Sequence, residues 1–220
     1  MFTGIVGRYD LLNDLMTAGR HRYWKRVAVQ AAEPDGAVAL DLGTGTGDIA
    51  RELVRQGARQ VVAGDFAPAM LGAAEEKARR KGFESIRFTV ADALDLPFAD
   101  AMFDCVTSGF LVRNVTSPEL AFLEMHRVLK PGGRVVCLEA ARRDDRIGRL
   151  LNRAFGVSAR ILGRIVAGDA AAYAYLPDSV ANFATPDELA AIIQRAGFSQ
   201  IQYRHFGFGL IAIHRARKAV

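Results

Sequence analysis

The chain predicts an α/β fold: a doubly wound, mostly parallel sheet of seven strands. Three observations predict it. Short apolar runs alternate with amphipathic helical patterns from about residue 37 to 138, the mark of βαβ units. A glycine turn, Gly43-Thr44-Gly45-Thr46-Gly47, joins the first apolar run directly to a helical pattern. Two further strand-like runs close the chain after a final helix.

The strands are expected at 37–42, 60–64, 86–90, 103–108 and 134–138, with helices at 48–56, 68–81 and 118–129. Ser117 before Pro118 reads as an N-cap with proline at the first helical position. Pro131-Gly132-Gly133 turns the chain into the fifth strand. Thr185-Pro186-Asp187-Glu188 is a capping box, and Gly197 ends that helix. The last strands fall at 200–205 and 210–215, an antiparallel ending. Residues 1–32 add a cover of two short helices. Residues 144–180 add a helical lid insertion, and the whole of 1–220 is one domain.

Composition narrows the class. Half the residues are hydrophobic and 24% are charged, as in globular proteins. No run of roughly 18 apolar residues predicts a membrane span, and the first residues lack the pattern of a signal peptide. Cys105 and Cys137 sit in expected strands and read as reduced core residues, which points to the cytoplasm. With two cysteines and four scattered histidines, no metal cluster is expected.

The glycine turn indicates the cofactor. A dinucleotide fingerprint wants a third glycine where this chain has Asp48. Asp41 before the turn and Asp48 after it suit a cationic ligand, and S-adenosyl-L-methionine (SAM) carries a sulfonium and an ammonium group. Gly43 and Gly45 are the expected backbone contacts, with Thr46 placed to bond a carboxylate. Asp65, at the end of the second strand, is expected to accept the ribose hydroxyls, with Phe66 beside it at the cofactor. As a helix-capping acid it would instead serve the Ala67-Pro68 helix start. Asp92 and Ala93 follow the third strand, where a carboxylate and an amide would hold adenine.

Further segments carry a resemblance. They are Phe2 to Asn13, with Arg8-Tyr9-Asp10-Leu11-Leu12-Asn13, Leu40 to Asp48, and Leu96-Pro97-Phe98-Ala99-Asp100 with Phe103-Asp104. Arg113-Asn114-Val115, Arg127 to Gly133, Tyr173 to Ser179 and Ala212-Ile213-His214 complete the set. Over nearly its whole length the chain resembles the ubiquinone/menaquinone biosynthesis C-methyltransferase family. The resemblance implies a SAM-dependent C-methyltransferase acting on a prenylated hydroquinone, with demethylmenaquinol as the acceptor. The chain departs from the family's pattern at Gly109, where a serine is often found next to the position of Ser108, and at Leu138-Glu139-Ala140-Ala141. Ser108 and Gly109 are assigned to the cofactor edge.

Methylation at a ring carbon needs a held, aligned acceptor and stabilisation of a phenolate. Arg113 and Asn114 are the expected catalytic pair. The guanidinium would favour the phenolate but is a poor base, and the amide would orient a water or the second ring oxygen. Their alternative is structural: Arg113 paired with an acid and Asn114 capping a turn. Tyr9 is the third catalytic candidate, if the N-terminal helices cover the site. His126, His214 and Trp24 read as structural.

The charge, +5 with a pI near 9.5, is concentrated in one run. At about 100° per residue, Arg146, Arg149, Arg153, Arg160 and Arg164 share a sector of roughly 60° opposite an apolar side. That suits a lid with a solvated face, or a peripheral contact with an anionic membrane. A homodimer stays open. Nucleic acid is not expected, because no RNA-binding module or aromatic basic groove is present. Two other readings remain: methylation of another phenolic molecule at O or N, and a non-catalytic SAM-fold subunit of a quinone-biosynthesis assembly.

Overall fold

Four apolar stretches too hydrophobic to face water build the centre of the sheet. The computed structural model describes residues 9–146, 148, 150 and 179–220, and for Tyr9, Asp10 and Leu12 the backbone alone. The strands are β1 (Val38–Leu42), β2 (Gln60–Asp65), β3 (Ile86–Val90), β4 (Phe103–Gly109), β5 (Leu129–Ala140), β6 (Phe198–Phe206) and β7 (Ile211–Lys218). They form one seven-stranded sheet in the order β3-β2-β1-β4-β5-β7-β6. The first five run parallel, and β7 is antiparallel to both β5 and β6. The expected fold class is therefore the observed one.

The helices are α1 (Tyr9–Thr17), α2 (Arg20–Ala32), α3 (Asp48–Arg55), α4 (Pro68–Arg80), α5 (Pro118–Val128) and α6 (Pro186–Arg195). Two apolar layers sandwich the sheet, as helices on both faces require. Along β1, Ala39 joins Trp24, Val29 and Leu53 on the face covered by α2 and α3. Leu40 and Leu42 join Phe122, Met125 and Leu189 on the face covered by α5 and α6. Trp24 is thus a core residue of α2, and Cys105 and Cys137 are buried free thiols.

The helix ends follow their capping chemistry. Ser117 Oγ accepts from the Leu120 amide at 3.2 Å. Thr185 and Glu188 make both bonds of the capping box, at 2.7 and 3.3 Å. His214 is buried, and its Nε2 meets the Pro186 carbonyl at 2.9 Å, fixing the start of α6 to β7. Burial is the main reason its pKa is lowered, so it stays neutral.

β5 differs from expectation. It starts at Leu129, which leaves the helix in an extended conformation and pairs with Phe103. Pro131-Gly132-Gly133 is then a register shift inside the strand, between the Phe103 and Cys105 pairings. Arg127 explains the neighbouring motif. It donates to the carbonyls of Phe98 (2.7 Å) and Leu96 (2.9 Å) and pairs with Glu124 and Asp100, pinning the loop before β4. Most of the expected lid, including Arg149, Arg153, Arg160 and Arg164, lies outside the described residues.

Candidate active site

The C-terminal ends of β1 to β5 share one edge of the sheet. Strand order reverses there between β1 and β4, the switch point at which open α/β sheets bind ligands. The site divides into a half on β1–β3 and a half on β4–β5.

In the first half the glycine turn folds back on β2. The amides of Gly43 and Thr44 donate to the Gly64 carbonyl at 2.8 and 3.0 Å. Gly43 has φ +69°, and a Cβ on it would lie 2.9 Å from Leu111 Cβ. Backbone conformation and space both require glycine. Asp65 ends β2 and serves the turn and α4 together. One carboxylate oxygen accepts from the Gly45 amide (2.8 Å), the other from the Ala67 amide (2.9 Å). Each oxygen retains acceptor capacity for a further donor. Phe66, next in the chain, exposes 73% of its surface. Asp92, beyond β3, is exposed and accepts from the Leu94 amide at 2.9 Å, while Ala93 is buried.

Two acids are placed differently from expectation. Asp41 is fully buried rather than open to a cationic ligand. Its oxygens accept from Thr44 Oγ1 (2.6 Å) and Thr107 Oγ1 (3.1 Å). Burial pushes its carboxyl up to about 7 against these two hydroxyls. The reason is its strand face: Asp41 points under the turn, towards α3, with Thr107 beside it in register. Asp48 faces α2 and its own helix instead of the site edge. It pairs with Lys25 Nζ (2.7 Å) and Arg51 Nη2 (2.5 Å). Burial alone would raise its pKa, but these cations outweigh that and hold it at about 2. Arg51 also donates to the Thr46 carbonyl at 2.8 Å, and Thr46 is buried.

The second half centres on a buried ion pair. Arg113 lies in a 3-10 turn, Val112–Asn114, and its Nη1 donates to Glu139 Oε1. Only 8% of the Arg113 side chain and 1% of the Glu139 side chain are exposed. Glu139 also accepts from the amides of Arg113 (3.3 Å) and Ala140 (2.8 Å). The Arg113 guanidinium carbon lies 5.4 Å from the Phe110 ring centroid. Asn114 is exposed and donates to the Phe110 carbonyl at 3.0 Å. The structural partners expected as the alternative for this pair are therefore present. Ser108 is buried beside its strand neighbour Cys137. A Cβ on Gly109 would come 2.5 Å from Ile49 Cδ1, so Ile49 fills the space at that position. The backbone of Tyr9 begins α1, and its side chain lies outside the described residues.

Four residues of this edge escape a reading by motif: Thr107, Leu111, Ile49 and Glu139. Glu139 had a usable signal. It is an acid at the C-terminal end of the apolar run Val135–Leu138, the same pattern that marks Asp65 and Asp92. Thr107, Leu111 and Ile49 carry no such signal, because only the fold brings them to the turn.

Residues 1–218 match the ubiE/COQ5 methyltransferase family. The chain belongs to this family. It is 43% identical over 217 residues to the ubiquinone/menaquinone biosynthesis C-methyltransferase UbiE of Desulfotalea psychrophila, covering 97% of this chain and 87% of that one. It is 39% identical over 226 residues to the UbiE of Brucella anthropi, covering 99% and 86%. A SAM-dependent methyltransferase from Aquifex aeolicus superposes with a TM-score of 0.69 at 17% identity, over 94% of this chain and 97% of that one. At that identity the likeness speaks to the fold alone.

The protein is a SAM-dependent methyltransferase. The edge suits that cofactor. It offers a turn that a side chain would block, carboxylates beyond β2 and β3, and an exposed aromatic ring between them. Among the described residues no cluster of histidine, cysteine or acidic side chains is arranged to hold a metal, and no helix is long and apolar enough to cross a membrane.

Proposed function

We propose that the chain methylates a ring carbon of a prenylated hydroquinone, with demethylmenaquinol as the acceptor. The observation that carries the reading is the buried Arg113–Glu139 pair, set on the segment that packs on the cofactor turn through Leu111 and Gly43. The names of the relatives, C-methyltransferases of quinone biosynthesis, supply the acceptor class.

When bound, SAM supplies an electrophilic methyl group on a sulfonium. The chain's part is to hold and orient. Gly43 and Gly45 give the backbone approach, Thr46 shapes the turn, and Asp65 accepts the ribose hydroxyls. Phe66 covers the base, which Asp92 and Ala93 bond at its edge. Asp41 acts from beneath, by shaping the turn through Thr44. On the acceptor side, the positive charge of Arg113 stabilises the phenolate that activates the ortho carbon. Glu139 fixes the guanidinium, and Asn114 holds the rim of the 3-10 turn. Tyr9 belongs to the cover over this edge. Ser108 and Gly109 form the floor between the halves. Overall, one proton is released for each methyl group transferred.

A prenylated acceptor resides in membrane, so a peripheral contact with an anionic surface through the basic run beginning at Arg146 belongs to the same reading. Methyl-labelled SAM tests the acceptor. Incubation with demethylmenaquinol, a ubiquinol precursor and simple phenols should put label on the ring carbon of demethylmenaquinol most efficiently. Label on the oxygen of a simple phenol, with demethylmenaquinol untouched, would favour the second reading of a general phenolic methyltransferase.

A further inference from the structure

Away from the sheet edge, α2, α3 and α4 enclose a cleft of about 700 Å³. The lining comes from all three helices, and its Lys25 and Arg51 side chains are largely buried, forming the floor. Eight lysine and arginine side chains line this cleft against two carboxylates, Asp48 and Glu52. Both carboxylates are engaged, Asp48 by Lys25 and Arg51 and Glu52 by Arg26 and Arg55. Outside the lining, Asp14 pairs with Arg22 and Glu76 with Arg80. Among the described lining residues, lysine and arginine outnumber carboxylates by eight to two.

The distribution of these charges selects the ligand. At the floor, three cations (Lys25, Arg51 and Lys77) act on the single Asp48 carboxylate. Lys25 and Arg51 expose only 15% and 5% of their side chains, so a flat anionic surface reaches neither. Arg22 on α2 and Arg80 on α4 expose 69% and 66% of their side chains. Lys81 stands exposed beyond the end of α4. A compact ligand with several negative charges matches this arrangement, and the volume falls within the usual range for small-molecule sites. Arginine and lysine from three helices are the natural partners of phosphoryl oxygens.

We propose that this cleft is a binding site for a small oligophosphate, separate from the methyl-transfer edge. The ligand class is the di- or triphosphate group, whether free or on a nucleotide. Nothing in this site depends on which acceptor the enzyme methylates.

Tripolyphosphate is the probe. Titration calorimetry on the full chain at physiological salt should give saturable, single-site binding that weakens as salt rises. The double variant Lys77→Glu, Lys81→Glu should weaken it by about tenfold or more, while basal methyl transfer stays unchanged. The milder pair Lys77→Ala, Lys81→Ala should weaken it in the same direction, which guards against a folding defect in the reversal. Phosphatidylglycerol vesicles form the second arm. Equal vesicle binding by parent and variant supports the proposal. Loss of vesicle binding with tripolyphosphate binding intact would overturn it and make the cleft a lipid face. No saturable heat, or heat indifferent to both double variants, would overturn it as well.

Discussion

The two halves of the sheet edge hold their charged groups by different physics. On β1–β3, Asp65 and Asp92 are satisfied by backbone amides, and Asp41 by hydroxyls. Among the described residues, the donors to these three acids are backbone amides and hydroxyls rather than cationic side chains. On β4–β5, Arg113 and Glu139 meet as a nearly solvent-free ion pair. Amide-held carboxylates retain acceptor capacity for a ligand's hydroxyls at little cost in stability. A buried ion pair is costly to desolvate and strongly destabilising to break, so it fixes one geometry. The first half is built to bind, and the second to orient.

The largest expected effect is on turnover. Arg113→Ala should lower kcat on demethylmenaquinol by about 10²- to 10³-fold, as removal of one transition-state donor does. Steady-state kinetics at saturating SAM checks this, and a loss under threefold would remove Arg113 from the mechanism.

Next is stability on the same side. Glu139→Ala leaves the guanidinium buried and uncompensated, and should cost about 3–5 kcal/mol in denaturant unfolding. Glu139→Gln keeps one acceptor oxygen, for the Ala140 amide and Arg113 Nη1, and should cost less. Equal costs would mean that charge is not what holds the pair.

The floor between the halves gives a smaller effect. Gly109→Ser meets Ile49 Cδ1 and should cost about 1–3 kcal/mol. Ile49→Val removes that methyl group, so the double variant should recover most of the loss. Additive losses would show that the conflict lies elsewhere.

The smallest effect separates Asp41 from the other acids. Its folded pKa, about 7, lies above the reference 3.8. Its contribution to stability is therefore complete below pH 3.8, declines as pH rises, and is gone above about 7. Asp41→Asn should flatten the pH dependence of unfolding between those values. At pH 8 it should raise stability by about 1 kcal/mol or more. An unchanged slope would contradict the buried placement.

Much of this edge was legible in the sequence because its parts are local. An apolar run followed by glycine or an acid marks a strand end, and Asp41, Asp65 and Asp92 each stand at one. Ser117 and Thr185 announced their helices for the same reason: capping chemistry acts within three residues. What was hidden depends on contacts across the chain. Glu139 lies 26 residues from Arg113, and Thr107 lies 66 from Asp41. The direction in which Asp41 and Asp48 face was hidden too. Spacing along the chain gives a carboxylate's position but not the layer that covers it, and Lys25 reaches Asp48 from a helix 23 residues earlier. The start of β5 was missed because Pro131-Gly132-Gly133 reads locally as a turn, while pairing with β4 absorbs it as an irregularity.

The central claim is the division of labour between the halves, and one calorimetric comparison tests it most directly. SAM dissociation constants are measured for the parent, Asp65→Ala and Arg113→Ala. The account predicts at least about tenfold weaker binding for Asp65→Ala, from the loss of charge-assisted hydrogen bonds, and a value within about threefold of the parent for Arg113→Ala. Equal losses in the two variants, or a loss confined to Arg113→Ala, would contradict it.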